Sequence, residues 1–297
     1  MIKVPTLTYV KLLIVAMCWG GTFIAGRLLA NHIPPMIAAA LRFAIASAVL
    51  LPLAWQREGG LPKLTRAQMQ ATFALGATGI FLYNICFFSA LEHMVAGRTA
   101  LFVAVNPIVT ALALATLFGE RLGGQRWAGI GIAFIGAAIV ITRGDPLAAV
   151  HDLAQAFGPG EVFMSIAICA WAAYTIIGRH ALTGLSPLAA TTYAALWGLL
   201  LLSLGASTEL TRFDSGLITW PDLAALAYLG IFGTVLGFVW YYEGVKAIGP
   251  SRTAVFNNLV PVFGISFAAV LLGEPILISM LIGGALVIGG VALTNRK

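Results

Sequence analysis

The chain has 297 residues, 60% of them hydrophobic and 9% charged, with mean hydropathy +0.96 and a formal net charge of +6. A soluble domain carries about 25% charged residues, so a water-soluble body is excluded and lipid is the solvent that suits the chain. The positive charge is spread singly between apolar runs rather than gathered on one face, which excludes a nucleic-acid surface.

Crossing the hydrocarbon core takes about 20 apolar residues as a helix. In chain order the sequence predicts helices at Thr6–Leu28, Pro35–Trp55, Ala67–Leu91, Gly97–Phe118 and Gln125–Thr142. They continue at Gly160–His180, Pro187–Ser207, Pro221–Val245, Pro250–Leu272 and Pro275–Thr294. The first run is too long for the apolar region of a signal peptide, and a copy of it recurs mid-chain. β-Barrel strands would alternate over about ten residues, whereas these runs are continuous and twice that length. Prolines at the first turns of the second, seventh, eighth, ninth and tenth helices cost no hydrogen bond there. The longest connection, Arg143–Pro159, is too short to fold as a domain, and no phosphate-binding loop is present. Cys18, Cys86 and Cys169 sit in apolar runs without metal-ligand spacing and read as small hydrophobes.

Placing the N-terminus in the cytoplasm puts Lys3, Lys11, Arg57, Lys63, Arg66, Arg121, Arg126, Arg179, Lys246, Arg252, Arg296 and Lys297 inside. Only Arg27, Arg98, Arg143 and Arg212 then lie outside, and Arg42 lies within a span. The positive-inside rule therefore predicts an even number of spans with both termini cytoplasmic.

The chain repeats itself. At an offset of 152, Trp19, Gly26, Arg27 and Pro35 match Trp171, Gly178, Arg179 and Pro187. At an offset of 154, Gly76, Gly79, Arg98, Thr99, Ala100, Pro107, Gly119, Glu120 and Gly129 match Gly230, Gly233, Arg252, Thr253, Ala254, Pro261, Gly273, Glu274 and Gly283. Each half holds five spans, so the second half enters the membrane from the opposite side. The expected fold is an all-α membrane protein of ten transmembrane helices in two inverted five-helix repeats: residues 1–143, a periplasmic connection at 144–159, and 160–297. Inverted repeats suit secondary transport, because exchanging the conformations of the halves moves the opening from one face to the other.

The segments "PPMIAAALRFAIASAVLLP", "NPIVTALALATLFGE" and "GPSRTAVFNNLVPVFGISFAAVLLGE" resemble the drug/metabolite transporter superfamily in its ten-helix EamA branch, and within it the YddG-type aromatic amino-acid exporters. The likeness spans nearly the whole chain. It implies export of amino acids or similar metabolites across a bacterial inner membrane, without ATP or cofactor.

Several residues are placed to carry such a function. Pro107 and Pro261 each free a carbonyl four residues back, at Val103 and Asn257, and read either as paired hinges or as static kinks. Asn84, Asn106, Asn257 and Asn258 are costly in lipid unless they bond across helices or face a wet path. Trp19, Tyr83, Phe87, Trp171, Tyr174 and Trp240 lie within spans, as core packing or as an aromatic wall. Tyr9, Trp55, Trp127, Trp220 and Tyr228 lie nearer the ends, as interface anchors. Arg42, inside the second helix, either snorkels or serves as a carboxylate anchor or interhelical lock.

Glu120 and Glu274 suit helix ends, and no carboxylate is clearly at mid-membrane, which favours facilitated over proton-coupled transport; His93 and Glu243 remain as candidate proton carriers. Gly129, Ala133 and Ala137, with Ala285 and Gly289, form small-residue faces for close packing, either joining the halves or pairing protomers. The expected partners are a small-molecule substrate and the bilayer, with no metal and no nucleic acid, and a monomer as the simplest state. Drugs, purines and sugar phosphates are the rival substrates. A membrane enzyme or channel is the rival class, but no HExxH or GxSxG motif is present.

Overall fold

A computed structural model describes residues 6–296 apart from 31–32, 94–95, 121, 143–144, 146, 148–157, 215, 217 and 273–276. Its regular elements, among the described residues, are all helical. The first half comprises α1 (Thr6–Ala30), α2 (Pro35–Glu58), α3 (Arg66–His93), α4 (Ala96–Phe118) and α5 (Gly124–Ile141). The second comprises α6 (Pro159–Ala181), α7 (Pro187–Ala206), α8 (Trp220–Ile248), α9 (residues 250–272) and α10 (Ile278–Asn295). Six of these, α1, α2, α3, α6, α7 and α8, are each long and apolar enough to cross a membrane unaided. The connection expected at 144–159 and the proline expected to open α10, Pro275, fall largely outside the described residues.

Helix starts follow from local chemistry. Thr65 and Gln68 cap α3 reciprocally, the Ser186 hydroxyl accepts from the Ala189 N–H, and the Asp222 carboxylate accepts from the Thr219 N–H. Pro35, Pro187, Pro221 and Pro250 sit in first turns, where no intrahelical N–H is needed.

The helices are shared between halves in a reciprocal pattern. α1 packs on α8 and α9, and α6 packs on α3 and α4. α2 lies on α7 and α8, α7 lies on α2 and α3, and α5 pairs with α10. Every such contact recurs when the halves are exchanged, which is what a two-fold relation requires. Apolar side chains gain little over lipid by meeting one another, so close backbone approach matters more here than in water. A Cβ on Gly76 would reach the Ala194 carbonyl at 2.9 Å, and one on Gly230 would reach the Arg42 carbonyl at 3.1 Å. These are the same contact made twice, at equivalent positions of α3 on α7 and α8 on α2.

Two features depart from regular α-helix. α3 is π-helical over Gly76–Leu82 and α8 over Leu229–Leu236, segments that superpose at the 154-residue offset. α9 is not one α-helix: a 3-10 turn at Val255–Asn258 separates Pro250–Ala254 from Leu259–Leu272. Pro261 follows that turn, whereas Pro107 lies within continuous α4.

The small-residue seam of α5 and α10 differs in detail from the sequence expectation. Gly129, Ala133 and Gly136 meet α10, but through Gly283, Val287, Gly290 and Thr294. Ala285 and Gly289 face outward instead, because the tightest fit puts Gly290 against the α5 backbone. Tyr228 also departs from its expected place at the interface: its hydroxyl donates to the Cys18 carbonyl at 2.8 Å, joining α8 to α1. Trp55 and Trp220 are 73% and 84% exposed at helix ends, where an interface belt needs them.

Candidate functional site

Each π-helical segment turns carbonyls away from the regular ladder and makes them available to side chains, a device frequent at functional sites. In α8, the Gly233 carbonyl accepts from the Trp19 indole N–H at 2.9 Å and, more loosely, from Arg42 Nη2 at 3.5 Å. Thr234 donates back to the Leu229 carbonyl and accepts from Arg42 Nε at 2.8 Å. In α3, Asn84 Nδ2 donates to the Ile80 carbonyl at 2.8 Å, and Asn84 Oδ1 accepts from Arg42 Nη1 at 3.0 Å. Arg42 is therefore not snorkelling. It is 4% exposed and its guanidinium reaches inward to α3 and α8.

Beside this guanidinium lies a cavity of about 40 Å³. Among the residues expected on a substrate path, Trp19, Arg42, Tyr83, Phe87, Asn106, Trp171 and Asn257 line it. They come from α1, α2, α3, α4, α6 and α9, so the cavity lies inside the bundle on the seam of the halves. The other candidates are elsewhere. Asn84 stands behind Arg42 as its acceptor. Tyr174 packs behind Trp171 and stacks on Tyr242 at 4.8 Å between centroids. Trp240 lies under Lys11, whose ammonium is 5.4 Å from its ring centroid. Asn258 is fully buried with both side-chain polar atoms unpaired, away from the cavity lining.

Thr22, Phe23, Val103, Phe238 and Val260 complete the lining and escaped the sequence reading. Phe238 had a usable signal, since it is the repeat mate of Asn84 at offset 154. Thr22 and Phe23 lie one turn on from Trp19, on the same face of α1.

The wall is aromatic. Trp171 meets Trp19, Tyr83 and Phe238 at centroid distances of 5.2, 5.0 and 5.4 Å. A small-molecule pocket spans roughly 300–1,000 Å³, so this cavity is too narrow to take a substrate without a movement of its walls. Beyond Trp171, towards the Arg179 end of α6, Tyr174, Tyr241 and Tyr242 form a fully buried layer. Thr175 and Tyr241 share a hydrogen bond of 3.0 Å, and the Tyr242 hydroxyl donates to the Tyr174 carbonyl at 3.1 Å. Past this layer a second cavity of about 330 Å³ opens among Glu120, Arg179, Thr183, Lys246 and Pro250, with Arg179 paired to Glu120 at 3.2 Å. Lys11 and Glu243 form an ion pair between α1 and α8. His93 is exposed and bonded to the Ser89 carbonyl, and Glu274 lies outside the described residues.

The family model of EamA-like transporters matches the chain twice, over residues 6–142 and 158–296. The chain belongs to the EamA-like transporter family. The chain is 33% identical to the Bacillus subtilis "Uncharacterized transporter YyaM", over 95% of this chain and 92% of that one. It is 28% identical to a Salmonella typhimurium "Probable amino-acid metabolite efflux pump", over 94% of this chain and 91% of that one. It is 30% identical to a Streptantibioticus cattleyicolor "Probable terminal-alkyne amino-acid exporter", over 75% and 71%. A solved crystal structure shares the fold with TM-score 0.76 and 22% identity, covering 98% of this chain and 97% of its own. This EamA-family chain is thus a multi-pass membrane protein of the transporter class.

Proposed function

We propose that this EamA-family protein exports neutral amino acids, aromatic ones included, across a bacterial inner membrane by alternating access, without ATP, with both termini cytoplasmic. The observation that carries this reading is the cavity on the seam. Two of its lining residues, Trp19 and Trp171, are repeat mates, one from each half, so rocking one half against the other exchanges which side of the same site is open. The tyrosine layer Tyr174, Tyr241 and Tyr242, with the Arg179–Glu120 pair beyond it, is then the closed cytoplasmic gate. The aromatic wall suits an apolar side chain. The names of the two amino-acid-exporting relatives favour the same substrate class.

The lining of this cavity contains no Asp, Glu or His among the described residues, which favours facilitated over proton-coupled transport. The test is uptake into liposomes bearing the purified protein, comparing labelled phenylalanine, threonine, a purine and a quaternary ammonium dye, with and without a pH gradient. Amino-acid flux indifferent to the pH gradient is expected. Flux of the dye or purine alone would overturn the assignment.

A further inference from the structure

The charge at the cavity is one-sided. A guanidinium carries five N–H donors. Arg42 spends three: Nε on Thr234, one on Nη1 to Asn84 and one, at 3.5 Å, on Nη2 to Gly233. One N–H remains on each terminal nitrogen, and two N–H groups are what a carboxylate takes in a bidentate contact. The three acceptors are all neutral, and the cavity lining supplies no carboxylate among the described residues. A cation buried in the bundle without a counter-ion is costly, and a ligand that brings the anion recovers much of that cost. The positive charge belongs to one half only, since the repeat position of Arg42 is occupied by Ala194.

A second group points the same way. Asn106 Oδ1 is buried in a residue 1% exposed, has no hydrogen-bond partner, and belongs to a side chain lining the same cavity. It is an acceptor waiting for an N–H or O–H.

We infer that the substrate is held by its carboxylate on Arg42 and by an adjacent amino or hydroxyl group on Asn106, so that the class carried is 2-amino and 2-hydroxy carboxylic acids with an apolar side chain. The inference rests on the preceding reading of an amino-acid transporter and names the groups that are recognised. The side chain lies among Trp19, Tyr83, Phe87 and Trp171. An amide or amine of the same shape is refused, because it leaves the guanidinium unpaired and brings a second positive charge.

Binding to the full-length protein in nanodiscs, read by tryptophan fluorescence, tests this with four probes: L-phenylalanine, L-phenyllactate, 3-phenylpropanoate and L-phenylalaninamide. Phenylalanine and phenyllactate should bind within about tenfold of each other, and phenylpropanoate roughly five- to tenfold more weakly for want of the Asn106 contact. Phenylalaninamide should bind at least about 100-fold more weakly than phenylalanine. Amide binding within about threefold of phenylalanine overturns the Arg42 anchor while leaving amino-acid transport standing. Phenylpropanoate binding as well as phenylalanine overturns the role of Asn106. Binding of none of the four, when a purine or quaternary ammonium dye does bind, overturns both the inference and the transport reading. Arg42→Lys keeps the charge and loses the fork, and should weaken phenylalanine about tenfold; unchanged affinity in the folded variant overturns the bidentate contact. The ligand series decides on wild-type protein alone if that variant does not fold.

Discussion

Trp19 and Trp171 meet edge to face across the seam, with ring centroids 5.2 Å apart and planes at 88°. They stand at the same position of their respective repeats, so the relation that pairs the halves passes between the two rings. Such a pair contributes about 0.5–1.5 kcal/mol beyond its buried area. It also makes one wall of the cavity depend on the placement of the other.

That dependence gives the first prediction. Trp171→Ala removes the ring that touches Trp19, Tyr83, Tyr174, Phe238 and Tyr241. Truncating a buried tryptophan costs about 3–5 kcal/mol of stability. Trp171→Phe is the control that keeps a ring in place. Uptake normalised to folded protein should fall about tenfold or more for the alanine variant and by less than about threefold for phenylalanine. Equal flux in both would place the ring outside the path.

Two glycines in α5 make a contrast that tests the seam with α10. A Cβ on Gly129 would run into Thr294 Oγ1 and, at 2.8 Å, the Gly290 carbonyl, neither of which can yield without parting the helices. A Cβ on Gly131 meets nothing within 4 Å. Gly129→Ala should destabilise by about 1–3 kcal/mol through overpacking. Gly131→Ala should be neutral, or stabilise slightly, because alanine favours the helix by up to about 1 kcal/mol. Thermal melting of the two purified variants measures the difference.

How far the sequence foretold this arrangement varies from residue to residue. Span positions and the repeat were legible, since lipid demands long apolar runs and the matched glycines mark where one half touches the other. Trp19, Trp171, Asn106 and Asn257 were legible as polar or aromatic groups at mid-span. Their grouping was not, because spacing along a helix does not tell which neighbour a face meets. Tyr174 and Trp240 had the same signal as Trp171 and lie off the cavity. The π-helical segments were invisible as such, although Gly76 and Gly79 with Gly230 and Gly233 marked their places: without side chains, those positions let Trp197, Tyr174, Ile45 and Thr22 press against the backbone. Ala285 and Gly289 lie on the other face of α10 from the seam, and the sequence left this open because a small-residue stripe has the same period whichever face carries it.

The Arg42 network carries its own prediction. Asn84 and Thr234 each satisfy one buried donor of the same guanidinium, at 3.0 and 2.8 Å. Asn84→Leu or Thr234→Val leaves that donor unpaired, at a cost of about 1–3 kcal/mol each. Because both act on one group, the double variant should depart from additivity by about 0.5 kcal/mol or more. Additive losses in denaturation would mean that the two contacts are energetically separate.

Membrane orientation is open to direct measurement. Cys18 and Cys86 are buried and Cys169 faces outward from α6, so a background with Cys169→Ala leaves no accessible thiol among the described residues. Gly60→Cys, between α2 and α3, should then react with an impermeant maleimide only from the cytoplasmic side. Asp214→Cys, between α7 and α8, should react only from outside. Labelling of both from one side would remove the inverted relation of the halves and with it the physical basis for alternating access.

The paired prolines give the sharpest distinction between motion and packing. Pro261 is buried just beyond the 3-10 turn at Val255–Asn258, and Asn257 in that turn lines the cavity. Pro107 follows Asn106, which lines it from the opposite half. Neither proline can donate to the carbonyl four residues back, which weakens the helix beside the site. Pro261→Ala supplies a backbone N–H at that position and should stiffen α9. If the weak point is where the helix bends during the transport cycle, turnover should fall several-fold while the dissociation constant for phenylalanine stays within about twofold. A static kink predicts the reverse: the site is reshaped, affinity changes, and the rate at saturation does not. Measuring binding and saturated uptake on the same preparation separates the two, and Pro107→Ala should repeat the result in the other half.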